Sequence, residues 1–256
     1  MDDLNLFING CHAILKSSMA NCFYKNVNEY ICSRRGLTCE SIMEHSIGFC
    51  PSNYDLPLSI RHMDIKDPES DYSYKILNKI IVPVFNKYNG PVVLATKSFI
   101  EDGTSWWNSI FQKSQHLFLL SKAKNEILKQ NKVYVVEGQM DALILYQYGI
   151  KNVVSMMGTT LSLRHIGCFA RYCTNICFCF DFDKNMSGQK ALRKAVVATN
   201  SFKIFDDISH IELPIGVDPD DFVIKYGKDD FLAREKIFTS KDVQQFIKEI
   251  KDDRKK

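Results

Sequence analysis

Val133-Tyr-Val-Val-Glu137-Gly138-Gln-Met-Asp141 joins a short apolar run to an acid, a glycine and a second acid. A run of this length without polar alternation reads as a strand buried on both faces, the environment of a parallel sheet. Met140, Leu143, Ile144 and Tyr148 then recur at helical spacing and Gly149 supplies a stop, so a helix comes after the strand. Open parallel sheets carry their chemistry at the carboxyl ends of their strands, which is where Glu137 falls. Gly138 lets the backbone turn tightly beside a ligand, and Asp141 lies one helical turn later on the same side. Taken singly, both acids also fit the simpler role of complementing a helix N-terminus.

A second apolar run ends the same way, Ile176-Cys-Phe-Cys-Phe-Asp181-Phe-Asp183. Alternate residues of an extended end point to the same side, so Asp181 and Asp183 suit two ligands on one ion. Acids at strand ends are common, and the pair alone is a weak signal. With Glu137 also at a strand's carboxyl end, however, the carboxylates converge on one edge. Such crowding costs Coulomb energy unless a cation sits among the acids, and oxygen-only donors favour a hard ion such as magnesium. Magnesium in turn points to phosphate chemistry.

Outward from these two runs the pattern keeps alternating. Residues 153–157 read as a strand, Gly158-Thr159 as a turn, 162–172 as a helix, Ser187-Gly188 through Ala198 as another helix, and 210–213 as a final strand. This order predicts a parallel sheet flanked by helices. The first half predicts a mixed α+β subdomain: short helices over 27–35 and 39–46 around Gly36-Leu37, a polar loop over 64–74, and a hairpin of residues 79–85 and 91–95 around Asn86-Lys-Tyr-Asn-Gly90. Residues 229–256 read as a helical tail with a Lys/Asp-rich end. The expected domains are 1–129, 130–226 and 227–256.

With 256 residues and 45% hydrophobic content the chain can bury a real core, which excludes a disordered protein. No apolar run approaches the roughly 18 residues of a membrane span, and Met1-Asp2-Asp3-Leu4-Asn5 lacks the features of a signal peptide, so a cytoplasmic location and no membrane partner are expected. A net charge of +3 requires any nucleic-acid surface to be local. The nine cysteines are odd in number and contain no Cys-x-x-Cys pair, and Cys11-His12 has no second pair nearby. Reduced, structural thiols and no zinc in this chain are expected.

The motifs in order resemble a known family. Val136-Glu-Gly-x-x-Asp141, then Gly158-Thr159 with His165, then Phe180-Asp-x-Asp183 and Gly188, look like the Toprim fold of bacterial-type primases, topoisomerases and some nucleases. Leu213-Pro-Ile-Gly-Val-Asp218-Pro-Asp220-Asp221 is similar to the segment that closes this fold in bacterial-type (DnaG-like) DNA primases. Arg34-Arg35-Gly-Leu37, Ile47-Gly-Phe49-x-Pro51, Ile81-Val-Pro-Val-Phe85, Asn108-Ser109 and Phe111-x-Lys113 fall in that family's order, so the resemblance spans roughly residues 27–230. The family usually carries lysine where Ser105 stands before Trp106. Its zinc ribbon and most of its helicase-binding domain have no counterpart here.

The resemblance implies a DNA-directed RNA polymerase, a nucleotidyltransferase making short RNA primers on single-stranded DNA during replication. It implies Glu137, Asp181 and Asp183 as catalytic acids, and Glu137, Asp181, Asp183, Asp218 and Asp220 as ligands of Mg2+ or Mn2+ with Asp141 beside them. Glu137 has the alternative role of assisting proton transfer, because a carboxylate crowded by others has a raised pKa. Arg35, Lys97, Asn108 and Lys113 would meet the template or nucleotide, arginine being suited to phosphate by its planar fork. Trp106 and Trp107 offer base-stacking faces or core packing, and His165 reads as a packing residue. The implied partners are single-stranded DNA, ribonucleoside triphosphates, a replicative helicase and a separate zinc-binding or template-recognition module. A stripped-down chain of this kind suits a phage or plasmid, with the host cytoplasm as its location. Two other readings use the same residues, a Toprim-type nuclease and a non-catalytic single-strand or helicase adaptor. No Gly-x-x-x-x-Gly-Lys-Ser/Thr loop accompanies the acids, and a scaffold has no reason to keep a costly carboxylate cluster.

Overall fold

Two sheets built by opposite pairing rules organise the chain, one antiparallel in the unit Met1–Gln112 and one mostly parallel in the unit Lys113–Lys256. The computed structural model describes residues 2–21, 24–62, 70–99, 106–109, 113–182 and 186–253. Ser105, Phe111, Asp183 and most of the polar stretch 64–74 lie outside the described residues.

In the first unit β1 (Gly48–Cys50), β2 (Lys79–Phe85), β3 (Pro91–Lys97) and β4 (Trp107–Asn108) pair antiparallel in that order. The expected hairpin is β2–β3, and its turn is held by the Asn86 carboxamide oxygen, which accepts from the N–H groups of Tyr88 (2.8 Å) and Gly90 (3.1 Å). A long helix, α1 (Asp2–Asn21), precedes the sheet in a stretch where sequence pattern assigned no element. Asn5, Asn9 and Gly10 are weak helix formers. Burial overrides them: Phe7, Ile8 and Cys11 join Cys50, Ile81 and Leu94 in one core. A Cβ at Gly48 would stand 2.6 Å from the backbone of Cys11, so β1 and α1 meet in a way that only glycine allows. The expected helix over 27–35 is a short α turn, Lys25–Asn28, running into a π-helical segment, Glu29–Arg34.

In the second unit the elements run α2 (Leu120–Gln130), β5 (Lys132–Val136), α3 (Gln139–Gln147), β6 (Val153–Ser155), α4 (Leu163–Phe169), β7 (Asn175–Cys179), α5 (Ser187–Ser201), β8 (Asp207–Ile211), α6 (Pro219–Leu232), β9 (Glu235–Ile237) and α7 (Ser240–Asp253). The strand order is β6-β5-β7-β8-β9, parallel except for β9. The α/β class expected from the alternation is the class observed. Val133, Val135, Ile176, Phe178 and Ile208 face a core closed by side chains of α2, α4, α5 and α7, while α3 packs against α6. From β5 the chain crosses to β6 on one side and returns to β7 on the other, so the β5/β7 boundary is the topological switch point. Open α/β sheets bind their ligands in the crevice at such a point.

Two boundaries differ from expectation. Residues 113–129 belong with the parallel sheet rather than with the first unit, because Leu117, Leu120, Ala123 and Ile127 are buried in its core. The tail is not wholly helical either: Glu235-Lys236-Ile237 forms the edge strand β9 between α6 and α7. That strand has no apolar alternation, and backbone pairing to β8 plus the ion pairs Lys132–Glu235 and Lys236–Glu212 hold it. Charged residues also suit an edge strand, since they discourage pairing with another chain.

Candidate metal centre

At the switch point β5 and β7 run in register, Val136 opposite Cys179, so Glu137 and the Phe180-Asp181 segment leave the sheet at the same edge. The backbone of Glu137 is fixed from the β6 side, its carbonyl accepting from Ser155 Oγ (2.8 Å) and from Gly158 N–H (3.0 Å). Ser155 Oγ also accepts from the N–H of Met157, which bends the chain there at φ +58°. Asp181 is pinned from α5: a Cβ on Gly188 would lie 1.9 Å from the Asp181 carbonyl oxygen, so the helix start and the acid touch through backbone.

A third stretch closes the edge. Gly216 N–H donates to the Phe182 carbonyl at 2.7 Å, which ties the loop after β8 to the segment bearing Asp181. Asp218 then takes the extended N-cap conformation of α6 with Pro219 at the first helical position. Asp220 is 5% exposed, its N–H reaches Asp141 Oδ1 at 3.4 Å, and its own Oδ1 accepts from Asp221 N–H at 2.8 Å. The carboxylates of Asp218, Asp220 and Asp221 each place an oxygen within 4.8 Å of the others. Asp221 is the residue the metal assignment from sequence passed over, although Asp218-x-Asp220-Asp221 stands in the motif itself.

Asp141 sits inside this group. Burial, and then the negative charges of Asp220, Asp181 and Asp218, push its carboxyl well above the ordinary carboxylate range, with the Asp220 backbone N–H pulling the other way. One carboxylate oxygen each of Glu137 and Asp181 is buried as well. Acids from three stretches of chain therefore meet at one edge of the sheet, and the donor set is all oxygen. That set fits a hard divalent cation.

The raised Asp141 carboxyl has a measurable sign. The folded chain holds a proton that the unfolded chain releases near pH 3.8, so this contribution to stability is complete below that pH and is lost as pH rises through the higher folded-state value. In EDTA, Asp141→Asn is expected to flatten the pH profile of Tm. At neutral pH it should raise Tm, each kcal/mol gained showing as about 2–4 °C in a chain of this size. A variant whose profile runs parallel to the wild type would remove Asp141 from the cluster.

The cations expected on the template path are distributed between the units. Lys113 is exposed and its Nζ donates to the Met157 carbonyl at 3.1 Å, beside the turn that holds Glu137. Arg35, Lys97 and Asn108 lie in the first unit, at the end of the π-helical segment, the last position of β3 and in β4. Trp107 stacks on Tyr72 (centroids 6.0 Å apart, planes at 23°) and packs against the first core, which favours the packing role. His165 closes a capping box with Ser162, and its Nε2 lies 2.9 and 3.1 Å from the carbonyls of Lys113 and His116, as a packing residue does.

A Toprim-like family model matches residues 134–223, the span from β5 into α6. A DNA primase of Staphylococcus epidermidis is 30% identical over 231 residues, covering 83% of this chain and 37% of that protein. The E. coli primase catalytic core superposes with a TM-score of 0.76 at 26% identity, over 96% of this chain and 81% of that one. A DnaG primase catalytic domain solved with bound single-stranded DNA gives 0.74 at 25% identity, over 91% and 80%. The chain spans little more than a third of the length of the curated relatives it matches. A Toprim domain, primase relatives across most of the sequence and a fold shared with solved catalytic cores together make this chain a member of the DnaG-like primases, as a counterpart of their catalytic core.

Proposed function

We propose that the chain polymerises ribonucleotides on single-stranded DNA, as a DNA-directed RNA polymerase that makes replication primers. The observation that supports this most is the meeting of Asp141, Asp181, Asp218 and Asp220, with Glu137 following directly on β5 at the same sheet edge, in a chain that matches a primase catalytic core over 96% of its length. In this reading Glu137, Asp181, Asp183, Asp218 and Asp220 hold Mg2+ or Mn2+, with Asp141 and Asp221 alongside. A cation bound there supplies Lewis acidity toward the α-phosphate and neutralises charge on the departing pyrophosphate. The growing strand's 3′-hydroxyl attacks the α-phosphorus, its proton passes to a carboxylate of the cluster, a role Glu137 would take in place of metal ligation, and pyrophosphate leaves. Arg35, Lys97, Asn108 and Lys113 meet template and triphosphate, and a replicative helicase and a zinc-binding or template-recognition module are the partners.

The test is incubation with single-stranded DNA, the four ribonucleotides and Mg2+ or Mn2+, with and without a purified replicative helicase. Short RNA products that vanish in EDTA are expected. Cutting of the template would make the chain a Toprim nuclease, and retention of DNA without any product would make it an adaptor.

A further inference from the structure

A groove runs along α5, and none of the roles assigned to the acids uses it. One cavity of about 580 Å³ is lined by Thr159, Thr160, Ser187, Lys190, Lys194 and Ile250 among others, and a second of about 430 Å³ shares Lys190, Lys194 and Ile250 and ends at Asp253. Thr159, Thr160 and Ser187 line one end of the groove, its mouth. Thr159 comes directly after Gly158, whose N–H bonds Glu137, and Ser187 precedes Gly188, which abuts Asp181. One end of the groove is therefore lined by residues next in sequence to those that hold Glu137 and Asp181.

Charge along the groove is sorted by use. Arg193 is committed to structure, pairing with Glu249 of α7. Lys190 and Lys194 are exposed, line both cavities, and show no ion pair among the described residues. At i and i+4 they stand on one face of the helix, with Cβ atoms about 5–6 Å apart. Between and beside them the wall is apolar, with Ala191, Ala195, Val197 and Ala198 on the helix and Leu161 and Ile250 beyond it, and the alanines leave room for a chain to lie against the helix. Thr159, Thr160 and Ser187 add neutral hydroxyl donors at the mouth. From Ser187 to Ala198 the helix advances about 17 Å at 1.5 Å per residue, the reach of a few nucleotides.

We infer that this groove carries the phosphodiester backbone of a nucleic-acid strand running to or from the acidic edge, with Lys190 and Lys194 as its phosphate contacts. The inference rests on the primase reading for the identity of the strand, which is either template DNA or the new RNA. Two exposed lysines aligned on one helix face, with hydroxyls at the mouth, suit the repeating anion of a nucleic-acid backbone. Asp253 ends the cationic run and limits its length.

The experiment compares the full chain with Lys190→Glu/Lys194→Glu, and with Lys129→Glu/Lys248→Glu as a control of equal charge change. Fluorescence anisotropy reads binding of labelled single-stranded DNA and of an RNA–DNA primer-template, in EDTA, across 25–200 mM KCl, with Tm recorded for each protein. The groove variant is expected to lose about tenfold or more in affinity at low salt. Its log–log salt slope on single strands should fall by about 1.4, two contacts at about 0.7 each, while Tm and the control stay near wild type. Loss on single-stranded DNA assigns the template and loss confined to the hybrid assigns the new RNA; both uphold the groove. Wild-type affinity and slope on both substrates would overturn it, as would intact nucleic-acid binding with weakened binding of a purified replicative helicase. Because no polymerisation is needed for this readout, a chain that binds DNA but makes no RNA would fail the primase reading without deciding the groove.

Discussion

On the proposed reading, Asp181→Asn is expected to lower template-directed nucleotide incorporation by on the order of a thousandfold and to leave the fold in place. The amide matches the carboxylate in volume, so the Phe180-Asp181-Phe182 segment and its bond to Gly216 are retained. What changes is one negative charge whose buried oxygen faces the cluster. In a site shielded from water a single lost electrostatic contact to the transition state costs about 100- to 1000-fold, and loss of a cation ligand adds to that. The check is primer synthesis under saturating Mg2+, with Tm and a calorimetric Mg2+ titration on the same preparation. Near-normal synthesis by the variant would reject the assignment of this edge as the reaction centre. Weakened Mg2+ uptake with unchanged Tm is the expected companion result.

Gly188→Ala is expected to damage both stability and activity, although residue 188 contributes no side chain to any chemistry. Its Cβ would fall 1.9 Å from the carbonyl oxygen of Asp181 and 2.9 Å from the carbonyl carbon, and backbone atoms cannot rotate away. Either α5 retreats or Asp181 moves. Overpacking of this kind costs about 1–3 kcal/mol, and a displacement near 1 Å at a reacting group costs about a hundredfold in rate. Gly138→Ala makes the useful contrast, because its Cβ would meet only the end of the Asp141 side chain, Oδ2 at 2.5 Å, which can swing aside. Thermal melts and primer synthesis on the two variants should therefore separate, with the residue-188 variant the worse in both. Wild-type behaviour of Gly188→Ala would mean that the helix start is not what fixes Asp181.

How much of the fold and site was legible in the chain depends on whether the information was local. The strands β5 and β7 were readable because burial on both faces requires uninterrupted apolar residues. The acids were readable because the chain, on leaving the sheet at Glu137 or Phe180, exposes the next side chains at that edge. The Gly149 stop was equally local, a φ of +89° that glycine adopts without strain. The helix α1 was harder, since its weak helix formers are outvoted only once Phe7, Ile8 and Cys11 have a sheet to pack on. The strand β9 carries no signal of its own, because Glu235-Lys236-Ile237 is extended by pairing with β8 and by ion pairs to residues distant in sequence. Asp221 and Lys113 were visible as residues, but not the contacts they make. One joins the acids through the start of α6 and the other reaches the Met157 carbonyl across forty-four positions of chain.

By itself the sequence determined the class of fold, the order of strand and helix through residues 132–201, and which acids stand at strand ends, since each is dictated by residues within a few positions of one another. Tertiary structure alone decided that β7 lies beside β5 rather than beyond β6, and that Asp218, Asp220 and Asp221 arrive over the same edge. It also decided that α5 and α7 leave a lysine-lined groove between them. The physical reason is that adjacency of strands and helices is set by which buried faces fit together, a property of pairs of elements far apart in the chain, whereas hydrophobic period and turn chemistry are written within each element.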